Sequence, residues 1–164
     1  MQIRKVSVAG VHAIFTFVQA AISKMISQKI FQWDEIYPTQ NDFLVDAQNN
    51  QLYIVEIDDK PAACFVLNKD CDEEYKNGKW SYTGNDYIVI HRLCVNPEFQ
   101  NQGVGRKTCL MIEEMVKAQG VKAIKLDCFT QNPYSQKMYE KLGYKIVGYA
   151  DWRKGRFALM EKVL

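Results

Sequence analysis

Between Tyr87 and Val95 the chain is apolar and rich in β-branched residues, and it breaks at Asn96-Pro97 into a short polar turn. Past Gly103, the positions Val104, Thr108, Met111 and Met115 recur three or four apart, so this stretch predicts strand, loop, helix. Upstream, Gln2 to Val6 suits a short strand and Ser7 a helix cap. Val11, Ile14, Phe15, Val18, Ile22, Met25 and Ile26 then mark one face of an amphipathic helix. His12 falls inside that helix and is expected to be a packing or surface residue. Pro38 ends regular structure, a second helix is predicted from Gln40 to Ala47, and Asn49-Asn50 turns the chain. Leu52 to Ile57 and Ala62 to Leu67 read as two strands of a hairpin closed by Asp58-Asp59-Lys60-Pro61. Residues 68–85 are polar and poorly patterned, as functional long loops often are, with a solvated acidic loop as the default reading. Further on, Ala123 to Phe129 is a strand, parallel to the first if the helix between them is a right-handed crossover. Asn132, Pro133 and Gly143 punctuate a helix, and Tyr144 to Tyr149 with Phe157 to Val163 predict a last hairpin around Asp151–Gly155.

Composition narrows the function classes. A length of 164 residues predicts one domain, residues 1–164, with a full core. With 48% apolar and 24% charged residues the chain is neither disordered nor membrane-spanning; no apolar run approaches the ~20 residues that cross a bilayer. No basic segment followed by an apolar run opens the chain, so a cytoplasmic protein with no membrane partner is expected. A net charge of +2, spread among alternating acids and bases, argues against nucleic acid. Five cysteines, Cys64, Cys71, Cys94, Cys109 and Cys128, form an odd set without C-x-x-C spacing, so free structural thiols are expected and no metal site.

The chemistry lies in the turn before the central helix. A helix start carries unpaired N–H groups and the positive end of the macrodipole, and Gly103 and Gly105 remove side chains that would hold a ligand away. A phosphate or pyrophosphate suits it. The Walker pattern fails, because Gly105 is followed by Arg106 and Gln100 stands five positions before it. The dinucleotide fingerprint fails too, since no third glycine stands near Thr108. What remains is Gln100-Asn101-Gln102-Gly103-Val104-Gly105, of the form Gln/Arg-x-x-Gly-x-Gly/Ala, which resembles the acetyl-CoA pyrophosphate loop of the GNAT N-acetyltransferase superfamily. A second stretch agrees with it. Asn132, Ser135, Tyr139, Gly143 and Tyr144 match the family's Asn-x-x-Ala/Ser-x-x-x-Tyr-x-x-x-Gly-Phe/Tyr. The resemblance covers Leu52 to Leu164, and the first fifty residues only by their helix pattern.

That resemblance implies an α/β (α+β by some schemes) GNAT fold: a mixed central sheet of about six to seven strands flanked by about four helices, splayed between its two central parallel strands. It implies acetyl-CoA as cofactor. Main-chain amides from Gln102 to Lys107 would hold the pyrophosphate, with Gln100, Gly103, Val104 and Gly105 shaping the loop and Arg106 or Lys107 adding charge. Pantetheine would pair with backbone at Leu93, Cys94 and Val95, where an N–H would also hold the oxyanion. Asn132 and Ser135 would support the cofactor, and Tyr139, sharing a helix face with Ser135, would protonate the departing thiolate. The implied reaction is direct attack by an amine in a ternary complex, and no cysteine sits beside an evident base.

The chain departs from the family's better-known form at the base. Where many members carry Glu on the strand before the loop, this one has Val89, Ile90, His91 and Arg92. His91 is a candidate base by its reference pKa, and an acid among Asp70–Glu74, or Asp34 or Glu35, is another. Trp33, Tyr37, Glu73 and Trp80 would suit a cationic, small-molecule or peptidic acceptor. An acyl-CoA-binding module without turnover is the alternative, and a homodimer fits the family's habit. The fold does not choose the acceptor.

Overall fold

A computed structural model describes residues 1–164. It has seven strands in one mixed sheet, ordered β1-β2-β3-β4-β5-β7-β6, and four α-helices, in agreement with the expected class. The chain divides into two compact units, residues 1–67 with 92–108, and residues 68–91 with 109–164.

The first unit begins with β1 (Gln2–Lys5), antiparallel to β2 (Leu52–Ile57), which pairs in turn with β3 (Lys60–Asn68). Ser7 is extended as a cap should be, yet its side chain makes no capping bond: a 3-10 turn, Val8–Gly10, intervenes and Gly10 precedes α1 (Val11–Ser27). Val11, Ile14, Phe17, Val18 and Ala21 are the buried face of α1, while Ile26 is 44% exposed. A straight helix drifts from a stripe read three and four apart, which brings Phe17 and Ala21 inward at the expense of Ile26. Val8–Ser27, 20 residues, is long and apolar enough to cross a membrane by length and composition alone; here its inner face packs with Phe43, Leu52, Ile54 and Val66 in this unit's core. α2 (Gln40–Gln48) starts with a capping box, in which Thr39 and Asp42 satisfy each other's backbone N–H. The hairpin turn is tighter than predicted. Asp58 and Asp59 both have positive φ, 50° and 60°, as a two-residue type I′ turn requires, so Lys60 and Pro61 belong to β3.

In the second unit β4 (Tyr87–Val95) enters through its first five residues and pairs in parallel with β5 (Ala123–Phe129), Tyr87 opposite Ala123 through Ile90 opposite Leu126. β7 (Gly155–Val163) lies between β5 and β6 (Lys145–Trp152), antiparallel to both. The last hairpin extends to Trp152 opposite Gly155, so only Arg153-Lys154 turn. α3 (Val104–Ala118) crosses from one unit to the other. Cys109, Ile112 and Val116 are buried on it, whereas Met111 and Met115, expected on the inner stripe, are half-buried at its edge. α4 (Pro133–Lys141) is bounded as predicted: Asn132 accepts from the Ser135 N–H, Pro133 opens the helix and Gly143 leaves it at φ 91°. Residues 68–85 are not a plain solvated loop. Tyr75 is buried, Lys79 N–H donates to Val147 O at 2.8 Å, and the N–H groups of Ser81 and Tyr82 donate to the buried Glu161 carboxylate at 2.7 and 3.1 Å.

Candidate functional site

In the first unit the end of β4 carries an irregularity that charge holds in place. Arg92 has φ 50°, a left-handed conformation that is uncommon outside glycine. Its guanidinium forks onto Asp46 of α2, Nε to Oδ2 at 2.9 Å and Nη2 to Oδ1 at 2.5 Å, and Nη1 donates to the Tyr37 hydroxyl at 2.8 Å. Burial works against the Arg92 charge, but Tyr37 and Asp46 outweigh it and raise its pKa. Beyond it Leu93 and Val95 are half-buried and Cys94 is buried. The loop then folds on its own side chains: Asn96 Oδ1 accepts from Glu98 N–H, Gln100 Nε2 donates to Val95 O at 3.2 Å, and Gln102 Nε2 donates to Glu98 O at 2.9 Å. Asn101 and Gly103 turn the chain at φ 61° and 74°. Lys107 N–H makes the first rung of α3, to Gly103 O at 3.0 Å. The amides of Gly103, Val104, Gly105 and Arg106 therefore precede the helical ladder, as helix geometry requires. Nothing lies within 4 Å of a Cβ built on Gly103, and Arg106 and Lys107 are exposed beside it. Trp33 is buried in this unit's core, and Tyr37 is spent on Arg92.

In the second unit the start of α4 is bound to β5. Ser135 Oγ lies 3.2 Å from Cys128 Sγ, and both its N–H and its hydroxyl return to Asn132. Tyr139 is buried one turn on, edge-on to Tyr144 with ring centroids 5.5 Å apart. Burial, and then the neighbouring Cys109 and Cys128, push its phenol well above the ordinary range. Burial also raises the Cys109 thiol to about 12 and the Cys128 thiol to about 11. Thiols so shifted are poor nucleophiles at neutral pH. Of the five free cysteines only Cys71 is exposed, so brief treatment of the folded chain with iodoacetamide at pH 8 is expected to label Cys71 alone. Mass spectrometry showing a second label at a comparable rate would refute that.

The other face of this sheet collects the residues that pattern reading scattered. His91 Nε2 is 2.8 Å from Asn68 Oδ1, which also accepts from the Asp70 N–H. Tyr75 donates its hydroxyl to Asp127 Oδ2 at 2.9 Å, and Trp80 Nε1 donates to Tyr75 O at 2.7 Å. The Lys125 ammonium stands 4.5 Å from the Trp80 centroid and 4.0 Å from that of Tyr87. The indole expected to receive a cationic acceptor thus already holds the chain's own cation. Glu73 is exposed and paired with Lys76. The bonds of Asp127 and Arg92 were not foreseen from the sequence, although each is a charge inside a largely apolar strand, and that was the available signal.

The model of the acetyltransferase (GNAT) family matches residues 19–144. The uncharacterized N-acetyltransferase YesJ of Bacillus subtilis (strain 168) is 24% identical over 120 residues, 71% of this chain and 66% of YesJ. Spermine/spermidine N(1)-acetyltransferase of the same organism is 23% identical over 100 residues, 60% of each protein. The chain therefore spans less than two thirds of the length of these relatives. Among solved structures, a GNAT-family acetyltransferase from Streptococcus agalactiae 2603 superposes with TM-score 0.87 at 21% identity, covering 99% of this chain and 95% of that one. PaiA N-acetyltransferase from Thermoplasma acidophilum, solved in complex with coenzyme A, superposes with TM-score 0.71 at 19% identity, covering 99% and 98%. At these identities the two structures show a shared fold. The family match spans well over half of the sequence, and the chain belongs to the acetyltransferase (GNAT) family.

Proposed function

We propose that this chain is an N-acetyltransferase that transfers acetyl from acetyl-CoA directly to a primary amine. The observation that carries the reading is the family match over residues 19–144, since acetyl-CoA-dependent N-acetyl transfer is the family's general reaction. PaiA's coenzyme A complex supports the cofactor. The α3 loop suits the diphosphate: the chain turns at positive φ at Asn101 and Gly103, the amides that precede the helical ladder follow at once, space is open over Gly103, and two cations stand next to it. Backbone at Leu93, Cys94 and Val95, beyond the Arg92 irregularity, is assigned to the pantetheine and the oxyanion.

Tyr139 is assigned as the acid. An apolar site holds a phenol neutral, with a proton to give. Burial likewise raises the neighbouring Cys109 and Cys128 thiols, to about 12 and 11. His91 is assigned as the base, its ring held by Asn68.

The spermine/spermidine relative supports a cationic acceptor. Incubation of the full chain with acetyl-CoA and a panel of polyamines, alkylamines, amino acids and peptides, with release of free thiol followed, tests the reading. Thiol release above the amine-free blank is expected for at least one amine. Coenzyme A binding by calorimetry with no release from any amine would overturn catalysis and leave a cofactor-binding module.

A further inference from the structure

No carboxylate stands on β4, yet one stands beside it. Val89 on β4 faces Lys125 on β5 in parallel register, and the ladder continues with Ile90 opposite Leu126. Successive side chains alternate between faces, so the next positions, His91 and Asp127, return to the face of Val89 and Lys125. Both are half-buried. Both are also positioned from the same segment, residues 68–85: Asn68 holds the His91 ring at 2.8 Å, and the buried Tyr75 hydroxyl holds the Asp127 carboxylate at 2.9 Å. The cation nearest in sequence on that face is Lys125, whose ammonium sits over Trp80 and Tyr87 at 4.5 and 4.0 Å and whose cross-strand partner on β7 is Glu161. Glu161 itself receives the Ser81 and Tyr82 N–H groups. A phenol donating to a carboxylate favours its ionised form, and one carboxylate accepts several hydrogen bonds at once.

We propose that Asp127, fixed by the Tyr75 phenol, receives the ammonium of a cationic acceptor on the sheet face where His91 stands. This rests on the transferase reading above and names its acceptor class: alkylammonium compounds such as polyamines, in preference to amines that carry a carboxylate beside the nitrogen. Asp127 binds and orients the cation, and His91 takes its proton. The neutral amine then forms the C–N bond as the C–S bond of the thioester breaks. Of the three ammonium protons, one stays on the amide. One replaces the proton that Tyr139 gives to sulfur, and one leaves through His91 to solvent.

Calorimetry with putrescine as the probe, on the full chain saturated with coenzyme A, tests this without requiring turnover. Loss of a charge-assisted pair predicts that Asp127→Asn weakens putrescine binding about tenfold to a hundredfold. Tyr75→Phe, which preserves the buried ring, weakens it in the same direction by a smaller factor. Coenzyme A affinity stays within about threefold in both variants, and in the thiol assay the loss falls on the KM for the amine more than on kcat. Wild-type-like putrescine binding by Asp127→Asn, an equal loss of coenzyme A affinity, or no putrescine binding by the wild-type chain would overturn the proposal. Binding that depends on Asp127 without thiol release would uphold the ammonium site and remove the transferase reading instead.

Discussion

Tyr139→Phe is expected to lower kcat about 100-fold to 10,000-fold, the usual span for loss of a positioned general acid, with coenzyme A affinity changed less than about threefold. Phe preserves the ring that packs edge-on against Tyr144, so the fold tolerates the exchange and the loss belongs to the hydroxyl. Burial explains why the effect should be large. Water that could replace a missing acid has little access to a side chain 7% exposed, and the thiolate would depart unprotonated. Single-turnover thiol release at saturating amine is the decisive measurement; a variant within about fivefold of wild type would withdraw the phenol from the mechanism.

Asp46→Ala should cost about 3–5 kcal/mol of stability in chemical denaturation, because it strands a guanidinium among groups that exclude water. The Arg92 and Asp46 side chains are 15% and 6% exposed, so solvent screening offers little relief. The same change removes the tie from α2 to the left-handed residue of β4. Removing both charges, with Asp46→Leu and Arg92→Met together, should recover part of the loss, since no unpaired ion is then left inside. If the double variant is less stable than Asp46→Ala alone, the pair contributes net attraction and the desolvation argument is wrong.

Where local chemistry decides, the sequence was legible. Asn132, Pro133 and Gly143 bounded α4 because caps and terminators act within one turn, and the run from Tyr87 to Val95 read as a strand because its apolar residues are contiguous. The loop before α3 was legible for the same reason, Gly103 turning the chain at positive φ just before the helix. What was hidden depends on partners far along the chain. Tyr75 and Asp127 are 52 residues apart, and Arg92 and Asp46 are 46 apart; no periodicity joins them. Residues 68–85 looked solvated because their anchors, Val147 and Glu161, lie on strands near the far end of the sequence. Trp33 and Trp80 illustrate a further ambiguity: an aromatic beside charges reads alike whether it fills a core, as the first does, or shelters an internal lysine, as the second does.

The pairing of Ser81 and Tyr82 with Glu161 also bears on biosynthesis. β7 is made after β6, yet it lies between β5 and β6 and its glutamate clamps a segment made some eighty residues earlier. During translation that earlier segment cannot complete its contacts until β7 has been made and threads into place. Maturation of this unit thereby waits on β7, and ribosome-bound chains not yet extended past β6 are candidates for chaperone capture.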